Sequence, residues 1–498
     1  MRRKTVGVME NKFRVKVISK SQTREFFCNE GENLLKVLRR NGYAVAAQCG
    51  GNGKCGKCGV RVAEGRFVGQ EGDTILACKA QVARDVCVEL PNVRGGGLTH
   101  FAASEIRTDG EDGYGAALDI GTTTLAFALV DLKTGEVKDK FGVLNDQRAY
   151  GADVLSRISA ADRGEGAAMQ RSILEQTRAA LFRFQKTAGK RLKRLAVCGN
   201  TVMLHLFLGK NVHGIGQYPF RAEFLNTVRL VGGDLDLPVD EAVILPSLAA
   251  YFGADAVVGG AAVNVRSGVN ILADVGTNGE ILLSANGKLY ATSTAAGPCF
   301  EGANIECGTG GVAGAIDRVF EKNGKIECRV IGGGRAEGIC GAGLVDAVAL
   351  MLKKGIVDEN GTFTSGEMRF YLTDEVYVSQ TDVRNFQLAK SAVCAGIRVL
   401  AAKAEVSLHD AEHLYVAGGL GFYLNLENAS AVGLFPSELN GKQIVAGNTA
   451  LAGAIRCLCR AEEIAEAEKI AESAEYEDLS FSPEFLDAYI KNMGFVDR

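Results

Sequence analysis

Residues 115–137 read GAALDIGTTTLAFALVDLKTGEV, and residues 270–290 read NILADVGTNGEILLSANGKLY. Both follow one plan: an apolar strand ending in an Asp, a Gly-Thr turn, a second apolar strand, and a polar turn at Gly. Asp119 and Asp274 stand 155 positions apart, and self-similarity at that range implies two related lobes. Each Asp leads into small hydroxyl and glycine residues, whose amides and hydroxyls can surround phosphate oxygens while the carboxylate faces a hydrated magnesium. A third glycine turn, LYVAGGLG at 414–421, follows an apolar strand and offers bare backbone to a nucleotide's sugar and base. Helical stretches follow each copy, at 151–195 after the first, and as GICGAGLVDAVALMLKKG and KSAVCAGIRVLAAKA after the second.

Upstream of the repeat lies QCGGNGKCGKCG at 48–59. Cys49, Cys55 and Cys58 are separated by gaps of five and two residues, and Cys78 follows after nineteen more. Four thiolates are what a two-iron two-sulfur cluster needs. Plant-type ferredoxins use a first gap of about four, so this spacing is nearer the vertebrate-type, adrenodoxin-like variants. The glycines between the cysteines let backbone amides point at sulfur without obstructing side chains. Zinc is the competing occupant, but zinc sites favour two close Cys pairs, and here three ligands cluster and one is distant. Around this loop, the alternating KFRVKVIS, the strand REFFC, a helical ENLLKVLRRNG, CGVRV and DVCVEL make a β-grasp pattern. Cys28 and Cys87 fall in these strands and read as buried small hydrophobes.

Length and composition fit this division. A chain of 498 residues should hold roughly two to four domains. Apolar residues make up 47% and charged residues 23%, which is the composition of a soluble globular protein. No apolar run approaches the roughly 18 residues that would span a bilayer, and no apolar stretch follows the basic start, so a cytoplasmic address without membrane contact is expected. A net charge of −3 argues against nucleic acid as a partner. The fourteen cysteines in a long chain with no secretion signal point to thiols and clusters rather than disulfides. The expected organisation is a ferredoxin domain at 1–91, a flexible linker at 92–115, a first lobe at 116–265, a second lobe at 266–460, and an acidic helical tail at 461–498.

The paired loops and the glycine turn resemble the superfamily of acetate and sugar kinases, Hsp70 and actin. The resemblance implies an α/β, multi-domain chain: a β-grasp ferredoxin domain followed by a two-lobed, ribonuclease H-like ATPase. It makes Asp119 with Gly121, Thr122, Thr123 and Thr124 the first phosphate loop. The second would be Asp274 with Gly276, Thr277, Asn278 and Gly279, and Gly418, Gly419 and Gly421 would form the adenosine loop. FGADAVVGGAAV at 252–263 and AGNTALAGAI at 446–455 look like the superfamily's connecting helices, with small residues for a close crossing. Asp255, Glu280 and Asp153 are candidates by position for a general base. The glycine-bearing segments at 198–209, 297–311 and 331–343 are expected near the cleft, with Glu301 able to serve there. His205 and His213 are expected as core or surface residues rather than ligands.

A ferredoxin loop fused to this pattern resembles the reductive activators of corrinoid proteins. The resemblance rests on the cysteine spacing, DIGTTT, DVGTNGE, GPCFEGANI and GGGRAEGICGAGL in that order, and covers nearly the whole chain. It implies an ATP-dependent reductase that passes one electron from the cluster to convert cob(II)alamin to cob(I)alamin on the corrinoid protein of a methyltransferase system. ATP and Mg2+ would be cofactors beside the cluster, with Asp119, Asp274 and Asp255 catalytic and a low-potential electron donor upstream. Two departures are expected, the absence of a sizeable middle domain and of a C-terminal pair of four-iron clusters; these leave partner identity and a homodimer open. The alternatives are an activator of another low-potential enzyme, a nucleotide-gated redox sensor, and a small-molecule kinase with an appended ferredoxin domain.

Overall fold

The structure, a computed structural model, describes residues 12–18, 23–41, 43, 45, 53, 58–90, 106–421 and 423–495. It is mixed α/β and separates into two compact units, residues 1–94 with 146–173, and residues 95–145 with 174–498. Among the described residues no helix is long and apolar enough to cross a membrane.

In the first unit, β1 (Lys12–Ile18), β2 (Thr23–Asn29), β3 (Gly59–Glu64), β4 (Thr74–Leu76) and β5 (Val86–Glu89) form one sheet in the order β2-β1-β5-β3-β4. The β1–β2 pair is antiparallel and β1–β5 parallel, and the helix Leu34–Arg40 crosses between them in sequence. Alternation sends Val15 and Val17 inward, where they pack with Leu34, Leu35 and Leu38. Cys28 and Cys87 are buried as expected. Asp153, one of the base candidates, is the N-cap of the helix Val154–Ala160, its carboxylate accepting from Ser156 N at 2.7 Å.

The second unit contains two six-stranded sheets that share a plan. The first is built from β6 (Tyr114–Ile120), β7 (Thr124–Asp131), β8 (Val137–Leu144), β9 (Leu192–Gly199), β10 (Val228–Val231) and β11 (Val239–Ile244), in the order β10-β11-β9-β6-β7-β8. The other uses β12 (Asn270–Val275), β13 (Gly279–Ala285) and β14 (Lys288–Thr294). Three shorter strands, β15 (Ala315–Lys322), β16 (Lys325–Val330) and β17 (Gly338–Ile339), form a separate small sheet, and β18 (Arg369–Tyr371) pairs with β19 (Tyr377–Ser379). The chain then returns to the large sheet with β20 (His413–Ala417), β21 (Gln443–Gly447) and β22 (Glu475–Glu477), giving the order β21-β20-β12-β13-β14-β22. In each large sheet an antiparallel meander (β6-β7-β8, β12-β13-β14) is extended from its first strand by parallel strands (β9 and β11, β20 and β21). That shared plan is the structural form of the repeat at 115–137 and 270–290.

The strands beside the parallel ones are apolar almost throughout, because both faces are covered. The helices Ala254–Ala262 and Thr449–Cys459 cross where Gly453 lies against Val258, so closely that a Cβ would collide with the Val258 carbonyl oxygen. The small residues read from sequence are therefore what the crossing requires. Arg456 fastens the pair by donating to Ala262 O at 2.8 Å and to Glu463 Oε1 at 2.8 Å.

Of the expected linker, residues 92–105 lie outside the described residues. Its last part is held in place: Thr108 Oγ1 donates to Lys133 O, and Asp109 exchanges hydrogen bonds with Cys459 and Ala461. The segment 461–498 provides the helices Ala461–Ser473 and Pro483–Lys491 and, through β22, an edge strand parallel to β14. The expected helical stretch at 151–195 ends earlier, at Ala188, and its final residues begin β9.

Candidate functional site

Cys58 and Cys78 come together because β3 pairs antiparallel with β4 in the register Gly59↔Leu76. Ala77 N donates to Cys58 O, and Asn33 Nδ2 fixes the Cys78 carbonyl at 2.8 Å. The two sulfurs are 3.2 Å apart, well beyond the roughly 2.05 Å of a disulfide and close enough to ligate one iron. Cys49 and Cys55, the other two expected ligands, lie outside the described residues.

The second unit holds a cleft of about 1300 Å3, counting the solvent at its mouth. Asp119 near the end of β6 and Asp274 near the end of β12 both face it, with Gly121, Thr122, Thr123, Thr124, Gly276, Thr277 and Asn278 from the turns that follow. Gly418 and Gly419, in the turn after β20, and Asp255, in the first turn of Ala254–Ala262, complete the floor. Gly421 ends the Gly418–Gly421 turn. Gly279 opens β13 against Thr294, where a Cβ would come within 2.8 Å of the Thr294 hydroxyl.

Burial of these carboxylates sets their electrostatics. Desolvation pushes Asp119 up to about 7, with Asn448 opposing and Asp255 adding to the rise. Asp274 is pushed up to about 8 by burial and then by Asp255, Asp119 and Glu301. Asp255 rises to about 6 through burial, moderated by the Ala256 amide, which donates to its Oδ1 at 2.9 Å. Glu280 sits directly opposite Asp274 in the β12–β13 pair, and burial together with its acidic neighbours raises it well above the usual range. Such a set of crowded carboxylates is stabilised by a divalent cation.

Other cleft residues act between the loops. Glu301, at the end of the short helical turn Pro298–Glu301, accepts from Thr277 N at 3.0 Å through Oε1 and from the Thr123 hydroxyl through Oε2. Asn448 donates from Nδ2 to Asp119 Oδ2 at 2.8 Å, while its Oδ1 caps the helix Thr449–Cys459 at Leu451 N. Asn200 caps Thr201–Phe207 in the same way and also lines the cleft. The roles of both asparagines were missed by the sequence reading. Their signal was present as Gly-Asn-Thr at 199–201 and again at 447–449, each directly after a parallel strand.

A nucleotide fits these residues. Among the described residues the buried Thr277 hydroxyl has no hydrogen-bond partner, and Gly418, at φ +84°, leaves a cradle that a Cβ would fill by meeting Asp274 Oδ1 and, at 2.8 Å, Val275 O. His205 belongs to the core: Nδ1 donates to Thr201 O at 2.7 Å, and Nε2 accepts from Glu223 N at 3.1 Å.

Residues 17–83 match the model of a 2Fe-2S iron-sulfur cluster binding domain. Residues 114–267 match the RACo middle region, and residues 268–498 match the C-terminal domain of RACo, the ASKHA domain. The chain is 32% identical to the corrinoid activation enzyme RamQ of Eubacterium limosum over 420 residues, covering 77% of this chain and 71% of the relative. It is 27% identical to the [Co(II) methylated amine-specific corrinoid protein] reductase of Methanosarcina barkeri over 422 residues, 77% of each. A solved reductive activator for corrinoid, iron-sulfur protein superposes with a TM-score of 0.71 at 26% identity, over 97% of this chain and 98% of that one. One expectation is overturned: the chain does not lack the middle region, because residues 114–267, read as an ATPase lobe, are that region.

Proposed function

The chain belongs to the RACo family, and on that premise we propose that it is an ATP-dependent reductase that activates a corrinoid protein by passing one electron from its two-iron two-sulfur cluster to cob(II)alamin, giving cob(I)alamin. The observation that carries the reading is the convergence of Asp119, Asp274 and the Gly418 turn on one cleft, in a chain that also sets Cys58 and Cys78 3.2 Å apart at the edge of a ferredoxin sheet. The corrinoid protein is proposed to belong to a methyltransferase system, with a low-potential donor upstream and a cytoplasmic setting.

Cys49, Cys55, Cys58 and Cys78 would hold the cluster, and the two Asp-Gly-Thr loops with Gly418 and Gly419 would hold ATP and Mg2+. When bound, the cluster supplies one low-potential electron, and the nucleotide with its cation supplies the free energy for a reduction that is uphill from an ordinary donor. The chain's own residues prepare for this. The amides and hydroxyls of Thr122–Thr124 and Thr277 are phosphate donors. Asn448 orients Asp119. Asp255, raised by burial but held by the Ala256 amide on its Oδ1, is the carboxylate we assign to take a proton from water. Asp274, at about 8, is largely protonated until a cation offsets its neighbours.

The test is anaerobic ATP turnover with and without a cob(II)alamin-loaded corrinoid protein. Stimulation by the corrinoid protein supports the reading. Turnover that instead phosphorylates a small molecule would replace it with a kinase.

A further inference from the structure

Glu301 holds two donors on opposite sides of the cleft. Its Oε1 takes the Thr277 amide at 3.0 Å, in the turn after β12, and its Oε2 takes the Thr123 hydroxyl, in the turn after β6. A backbone amide and a threonine hydroxyl directed at two oxygens of one anion are also the donors that a phosphate group uses. The buried Thr277 hydroxyl, one residue from Gly276 and without a partner among the described residues, is a further donor of the same kind beside them. Gly276 makes room for the contact, since a Cβ there would lie 3.3 Å from Glu301 Oε1.

The backbone that carries Glu301 is fixed. Phe300 is buried and packs edge-on against Phe386, with ring centroids 5.9 Å apart. Gly302, at φ +79°, is so tightly apposed to Thr309 that a Cβ would collide with its backbone. Movement is therefore left to the Glu301 side chain. A terminal phosphate cannot take the Thr277 amide and the Thr123 hydroxyl while the carboxylate holds them, and two anions at that point repel unless a cation lies between them.

We propose that Glu301 is a specificity-determining residue: its carboxylate occupies the terminal-phosphate donors, so that a nucleoside triphosphate binds only by displacing it, and does so efficiently only with a divalent cation. Displacement also breaks the side-chain link from Thr123 to Glu301, through which this residue joins the two loops. Binding of the third phosphate is thereby coupled to a change in how the two large sheets are joined. The inference rests on the nucleotide reading of the cleft.

The experiment is calorimetric titration of the full-length chain with ATP and with ADP, each in magnesium and in EDTA, for the wild type, Glu301→Gln and Glu301→Ala. Circular dichroism and melting temperature confirm that both variants fold. Without the carboxylate's charge, ATP in EDTA should bind about tenfold or more tightly than to wild type, while ADP affinity changes by less than about twofold. ATP affinity that is unchanged or weakened in both folded variants would overturn the proposal and make Glu301 a contributor to nucleotide binding instead. If the wild type bound neither nucleotide, the cleft reading itself would fall, and the inference with it.

Discussion

Asn448 Nδ2 lies 2.8 Å from Asp119 Oδ2, joining residues 329 positions apart in sequence. The same side chain caps the helix Thr449–Cys459 through its oxygen, so its amide orientation is set by the cap. Asp119 is thereby aimed by a helix that belongs to the other end of the chain. Asn448→Ala should cost about 1 kcal/mol through the lost cap. It should also lower ATP turnover by about tenfold or more, as Asp119 loses the Asn448 amide that favours its charged form. Chemical denaturation and steady-state turnover check the two effects separately.

Gly418→Ala tests the third loop. At φ +84°, with Asp274 Oδ1 and Val275 O against the missing side chain, alanine adds roughly 1–2 kcal/mol of backbone strain and a collision with a cleft carboxylate. ATP affinity should fall by about tenfold or more, with the visible spectrum of the cluster unchanged. Calorimetry and absorbance report the pair.

Electron chemistry and nucleotide chemistry should separate by mutation. Cys78→Ser should remove or blue-shift the cluster absorbance and abolish electron transfer while ATP still binds. Asp274→Ala should do the reverse. A single change that removed both properties would contradict the division of labour between the ferredoxin sheet and the cleft.

The cleft carboxylates give the ligand-free protein a pH dependence of definite sign. Asp119, Asp255 and Asp274 have folded pKa values of about 7, 6 and 8, raised from the ordinary value near 3.9. A raised folded pKa means that the native state keeps protons the unfolded chain has released. Their contribution to stability is full below about pH 4, declines as pH rises, and is gone above about pH 8. The melting temperature in EDTA should therefore fall between about pH 5 and pH 8, and Asp274→Asn should flatten that slope. Magnesium with ATP should restore stability at the alkaline end.

What could be read in advance followed from local chemistry. Asp119 and Asp274 are legible because each ends an apolar strand and enters a Gly-Thr turn, a pattern that needs only neighbouring residues. Gly453 and its small neighbours announce a close helix crossing for the same reason. Asn448 and Glu301 are harder, since their partners lie 329 and 178 positions away, and an N-cap asparagine has a sufficient local explanation. The middle region is illegible for a different reason: residues 114–267 carry the first Asp-Gly-Thr loop, which reads as part of the ATPase, so a separate middle domain was expected to be absent. Only Cys58 and Cys78 of the expected ligand set fall within the described residues, where the β3–β4 register accounts for their approach.

The most direct measurement is an anaerobic visible spectrum of the reconstituted protein mixed with chemical reductant, ATP, magnesium and a corrinoid protein in the cob(II)alamin state. An ATP-dependent rise of the cob(I)alamin band, absent with Cys78→Ser and with Asp274→Ala, is the predicted result. No rise with several corrinoid proteins, despite a reduced cluster and bound ATP, would contradict the account.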